Sequence, residues 1–63
     1  MKSREYALNV AIPALNEEKI RGYTRSALNP SMSLDCRTIA QTIEDNTDYT
    51  CTVCGGSIYV KLF

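Results

Sequence analysis

Three cysteines and no histidine set the limits of what chemistry this chain can carry. Without imidazole, every Ser-His or Cys-His nucleophile is excluded, and so is every zinc site that needs a histidine ligand. The thiols are unevenly placed: Cys36 stands alone, while Cys51 and Cys54 flank Thr52-Val53 and run directly into Gly55-Gly56. Two thiolates around a tight turn can grip a soft metal ion, and the glycines let backbone amides approach sulfur. A full site needs four ligands. Cys36 with a carboxylate such as Asp48 would complete one within the chain; alternatively, two chains would share one zinc through Cys51 and Cys54.

Acidic and basic side chains offer less. Glu17, Glu18 and Asp35 fall where a helix first turn is expected, and acids there are stabilising without any chemistry. Lys19 and Lys61 read as solvated. No matched acid-base pair in a cleft emerges, so no catalytic residue is assigned and the chain is expected not to be an enzyme. Seven basic residues balance seven acidic ones. Residues 1–30 carry +2 (Lys2, Arg4, Lys19, Arg21 and Arg25 against Glu5, Glu17 and Glu18), and residues 31–63 carry −2 (Arg37 and Lys61 against Asp35, Glu44, Asp45 and Asp48). A zero total argues against binding nucleic acid mainly by phosphate neutralisation.

Sixty-three residues allow one domain, 1–63, without a deeply enclosed pocket for a small-molecule substrate. A domain this small buries only about 60% of the surface its unfolded chain exposes, so a metal, a disulfide or a partner often supplies the missing stability. The opening Met1-Lys2-Ser3-Arg4-Glu5 leads into no long apolar run, which predicts a cytoplasmic address with no membrane partner. Odd cysteine usage in that setting reads as free thiols or a metal site. No internal repeat or linker is apparent.

The elements that would position these groups follow from periodicity. Tyr6, Leu8, Val10 and Ile12 alternate with Ala7, Asn9 and Ala11, a half-buried strand pattern that Pro13 would end. Asn16 would cap a helix with Leu15 and Ile20 as its staple pair and Ile20, Tyr23, Ala27 and Leu28 as its stripe, until Asn29-Pro30 stops it. Gly22 is unfavourable inside such a helix. Ser31 or Ser33 would cap a second helix, spanning 34–45, whose Cys36, Ile39, Ala40 and Ile43 share a face, with Asn46 as a left-handed terminator and a last turn loosened by Glu44 and Asp45. A Gly55-Gly56 turn would pair Cys54 with Ser57, Val53 with Ile58, Cys51 with Val60 and Tyr49 with Leu62, leaving Thr50, Thr52, Tyr59, Lys61 and Phe63 on the other side. A loop over Val53–Gly56 would instead turn both cysteines toward one ion. The expected fold is α+β, order β-α-α-β-β, a three-stranded antiparallel sheet with a C-terminal hairpin packed on two helices.

Two partial resemblances bear on function. The run Cys51-Thr52-Val53-Cys54-Gly55-Gly56 resembles one knuckle of a zinc ribbon or rubredoxin site, which implies the zinc-stapled homodimer with Cys51, Cys54 and Cys36 as candidate ligands. Against it, the hairpin register puts Cys51 in the core and Cys54 on the opposite face, and buried cysteine is common. Thioredoxin-like redox chemistry needs a helix N-terminus after the motif, where this chain has a strand. The order strand, helix, helix, two-stranded wing resembles the later part of a winged helix. That resemblance implies DNA binding by the 34–45 helix through Arg37, Thr38, Gln41 and Thr42, with Arg21 and Arg25 of the preceding helix on phosphates. The first helix of that family is missing, the wing tip is not basic, and acids crowd the reading helix.

The primary expectation is a small, non-enzymatic regulatory or inhibitory module, needing no cofactor, that docks on another protein and is capable of homodimerising. Modules of this size are often regulators encoded by microbes and their phages. Its interface would be the outer sheet face: a flat strip of Ala7, Asn9 and Ala11 beside Tyr59 and Phe63. A strand left at the sheet edge would add a second mode of pairing, by strand addition.

Overall fold

The computed structural model describes residues 2–63. The chain runs through α1 (Ser3–Tyr6), a π-helical segment (Ala7–Ala11), α2 (Ile12–Ile20), β1 (Arg25–Leu28), α3 (Cys36–Asn46), β2 (Thr50–Cys54) and β3 (Ser57–Lys61). The first three stack without a break, since the residues at both joints have right-handed helical angles. The architecture is the expected α+β one, an antiparallel sheet of order β1-β3-β2 with two helices, including the C-terminal hairpin.

The element order is corrected at its start. Residues 6–12 form helix where a strand was expected, and Ala7, Ala11 and Leu15 form its core face, fully buried. These residues are spaced by four, and the π winding, in which the Ile12 amide donates to the Ala7 carbonyl, holds that spacing on one side of the axis. The wider winding also makes room for Pro13, which lacks an amide hydrogen and whose ring would press on the carbonyl four residues earlier in a regular α-helix. Asn16 is therefore inside the helix, not its cap; its Oδ1 accepts from the Tyr49 hydroxyl. Ile20, expected in a buried stripe, is 86% exposed.

Gly22 is the terminator. It sits at φ 93°, its amide donates to the Lys19 carbonyl and the Tyr23 amide to the Glu18 carbonyl, which together close a Schellman motif. The residues expected to continue the helix turn instead into β1.

α3 is capped by Asp35 rather than by Ser31 or Ser33: its carboxylate accepts from the Arg37 amide at 3.0 Å and from the Thr38 hydroxyl at 2.9 Å. Those bonds, the Thr38 hydroxyl first, hold the Asp35 carboxyl below its ordinary range. Ile39, Ala40 and Ile43 face the core with Cys36 at their margin. Asn46 is not left-handed; it ends the helix with its side-chain amide on the Thr42 carbonyl, while the Thr47 hydroxyl serves the Ile43 carbonyl. Those side chains occupy carbonyls of the turn expected to fray.

The hairpin has the expected register, with Gly55 and Gly56 both at positive φ in the turn, Cys54 opposite Ser57, Val53 opposite Ile58 and Cys51 opposite Val60. Ile58, Val60 and Leu62 of the inner face pack with Leu15, Ile39, Ile43 and Tyr49 in the core. No helix among the described residues is long and apolar enough to cross a membrane.

Candidate functional site

On the outer face of the sheet, polar, charged and aromatic groups gather in the open. Pairing of β1 and β2 on either side of β3 brings Ala27, Tyr59 and Thr52 into one row and Arg25, Lys61 and Thr50 into the next. All six side chains are exposed. The Tyr59 ring thus stands between two small neighbours, and Arg25, Ser26, Thr50, Thr52, Tyr59, Val60 and Lys61 line an open concavity of about 410 Å³. A second concavity at the end of α2, lined by Ala14, Glu17, Glu18, Arg21 and Tyr23, already holds its own ion pair between Arg21 and Glu17 at 2.9 Å.

The expected protein interface is partly reassembled. Tyr59 holds its place. Ala7 and Ala11 do not, since both are buried on the inner side of the N-terminal helix, and Asn9 is exposed on that helix rather than on the sheet. Phe63 lies beyond the end of β3 with the Lys19 ammonium 4.9 Å from its ring centroid; the same ammonium is 5.5 Å from the Tyr49 ring. This contact ties the C-terminal ring to the helix layer. The members missed by sequence reasoning are Arg25 and Ala27. Gly22, read there as a cost, was the available signal, because a helix stopping at residue 21 leaves Arg25–Leu28 free to pair.

The residues of the duplex-reading alternative are dispersed. Arg25 lies on β1, not on a helix before α3, and only one helix stands between β1 and the hairpin where a helix-turn-helix needs two. Arg21 is paired to Glu17. On α3, Arg37 is exposed, but Thr38 is bonded to Asp35, Gln41 donates to Asp45 at 2.8 Å, and Thr42 is buried with its hydroxyl on the Thr38 carbonyl.

The cysteines do not converge either. Cys51 is half-buried on the inner face, and Cys54 is exposed on the outer one. Cys36 stands near the hairpin turn, its Sγ 3.5 Å from the Gly56 carbonyl. No cluster of three His, Cys, Asp or Glu side chains with metal-holding geometry occurs among the described residues. Burial pushes the Cys51 thiol up to about 11, with the nearby Glu44 carboxylate adding to the shift. That carboxylate also accepts the Cys51 backbone amide at 2.9 Å. Comparison with protein-family models, curated proteins and solved structures found no match, so the site is read on its own chemistry.

Proposed function

We propose that this chain is a small, non-enzymatic regulatory module that docks on another protein through the open face of its sheet, with Tyr59 as the anchor. The observation that carries the reading is the position of that ring: mid-strand on the central strand, between Ala27 and Thr52, 52% exposed, while Ile58 and Val60 on either side of it are buried on the opposite face. An aromatic ring flanked by small residues presents a large apolar area and a hydroxyl at low entropic cost, which is the character of interface anchors. The surrounding Thr50, Thr52, Arg25 and Lys61 supply the polar rim such interfaces need. The duplex alternative has Arg21, Thr38, Gln41 and Thr42 bonded within the chain, and the zinc alternative has Cys51 and Cys54 on opposite faces.

The test places a photo-crosslinking residue at Thr52 and expresses the chain in its native cells. The expected result is one discrete adduct that disappears in the Tyr59→Ser background and whose partner, purified, binds the wild-type chain in a defined ratio. Absence of any Tyr59-dependent adduct would overturn the reading.

A further inference from the structure

We propose that the occupant of the Tyr59 face is an extended acidic segment of another protein, which adds to the free edge of β1 and sets a carboxylate between Arg25 and Lys61. This rests on the docking reading above and specifies its partner's chemistry.

The two edges of the sheet are treated differently. Antiparallel pairing alternates the direction of backbone groups, and the Leu62 amide donating to the Thr24 carbonyl fixes the parity on β1. Thr24, Ser26 and Leu28 face β3, and Arg25 and Ala27 turn their amides and carbonyls outward. On β2 the outward residues are Cys51 and Val53, and the Cys51 amide is already taken by Glu44 from α3, which packs beneath that strand. Among the described residues no hydrogen bond reaches the outward groups of Arg25 and Ala27, and an unpaired strand edge is a template for an added strand.

Charge selects the occupant. Arg25 and Lys61 are direct cross-strand partners, an arrangement of like charges that costs stability unless an anion offsets it. Among the described residues the only ion pair is Arg21 with Glu17, so neither cation of the concavity is neutralised. The Glu18 carboxylate accepts the Ser26 hydroxyl. A second copy of the chain pairing through β1 would bring another Arg25 to the seam and worsen the repulsion. A single-stranded nucleic acid would find one ring, since Tyr59 is the only aromatic side chain lining the concavity, where base-stacking sheets use two or three. An acidic peptide strand satisfies the edge amides and both cations at once.

The experiment uses the full chain and two probes: a displayed library of random dodecapeptides and the single strand dT12. Peptides selected on the wild-type chain are synthesised and titrated against wild type, Tyr59→Ser and the double variant Arg25→Gln with Lys61→Gln, at low and at moderate salt, while backbone amide shifts are followed by NMR. Acidic residues are expected in the selected peptides, with affinity lowered about tenfold by the double variant and further by salt. The amide shifts should be largest at Arg25 and Ala27. Tyr59-dependent peptides that carry no acid, or that ignore the double variant, would overturn this inference and leave the docking reading standing. Absence of any Tyr59-dependent peptide would sink both. Preferential binding of dT12 would transfer the site to nucleic acid. Self-association of the double variant without peptide binding would reduce Arg25 to a charge that guards the edge.

Discussion

The two faces of β3 differ by one residue in register and by everything in environment. Ile58 and Val60 are buried in the core, whereas Tyr59 and Lys61, their immediate neighbours, meet solvent on a face that none of the described residues covers. The inner face carries the core, and the docking proposed above would use the outer one. A domain of this size buries only about 60% of the surface its unfolded chain exposes, so its stability rests on few core residues.

The sharpest way to break this contrast is to damage the inner face. Ile58→Ala removes a fully buried side chain, and large-to-small changes there cost about 2–5 kcal/mol, comparable with the about 3–5 kcal/mol a core this small supplies. The variant should be largely unfolded at room temperature, read by far-UV circular dichroism and urea titration. A cooperative transition near the wild-type midpoint would mean that the inner face is not the core.

Next in size is Gly22→Ala. At φ 93° an alanine is strained by about 1–3 kcal/mol even though open space surrounds the position. This glycine ends the N-terminal helix and so sets which residues of β1 face outward. Its replacement should lower the urea midpoint and broaden the β1 amide signals before those of the hairpin.

Those two positions also mark how far the sequence could be read. The hairpin was legible from Cys54–Ser57 to Cys51–Val60, because adjacent glycines permit a primed turn and the apolar residues on either side then agree on one register, though Val53 is exposed and the Tyr49–Leu62 pair lies beyond the paired residues. The stripe of α3 was legible for the same reason, a period with no competing pattern. Residues 6–12 were not. Their large apolar side chains alternate as in a strand, yet the alanines between them, good helix formers, are what the core contacts, and a local pattern does not reveal that a π segment will carry Pro13. Gly22 was weighed as a penalty within a helix when its freedom at positive φ made it the end of one. Because one misread segment exchanged a helix for a strand and the next did the reverse, the fold class survived while the outer face lost Ala7, Asn9 and Ala11 and gained Arg25 and Ala27.

pH sharpens the contrast from the inner side. The Cys51 thiol, raised by burial from 9.0 to about 11, binds its proton more tightly in the folded chain than in the unfolded one. Its contribution is therefore complete below pH 9 and lost as pH rises toward 11. Thermal melts should show that decline, and Cys51→Val should flatten it. At the acid end the sign reverses: Asp35 is held low, so its cap contributes above the ordinary carboxylate range and is lost as pH falls below it. Asp35→Asn, which also caps well, should remove that acid limb while leaving the helix in place. Retention of either limb in its variant would assign the loss to another group.

The smallest stability effect expected is also the one on which the functional reading turns. Tyr59→Ser trims a half-exposed ring whose cross-strand neighbours are Ala27 and Thr52, so it forfeits only a weak pair interaction and some strand preference, about 0.5 kcal/mol. The inner face should not notice: amide exchange at Ile58 and Val60 should keep its wild-type protection, and the melting temperature should move by a few degrees at most. A loss as large as that of Ile58→Ala would show that Tyr59 is structural, with the outer face closed in solution by another copy of the chain, and its concentration dependence would expose that dimer. A near-silent effect on folding with complete loss of the Thr52 crosslink would make Tyr59 a residue held in place by the core but used by the partner.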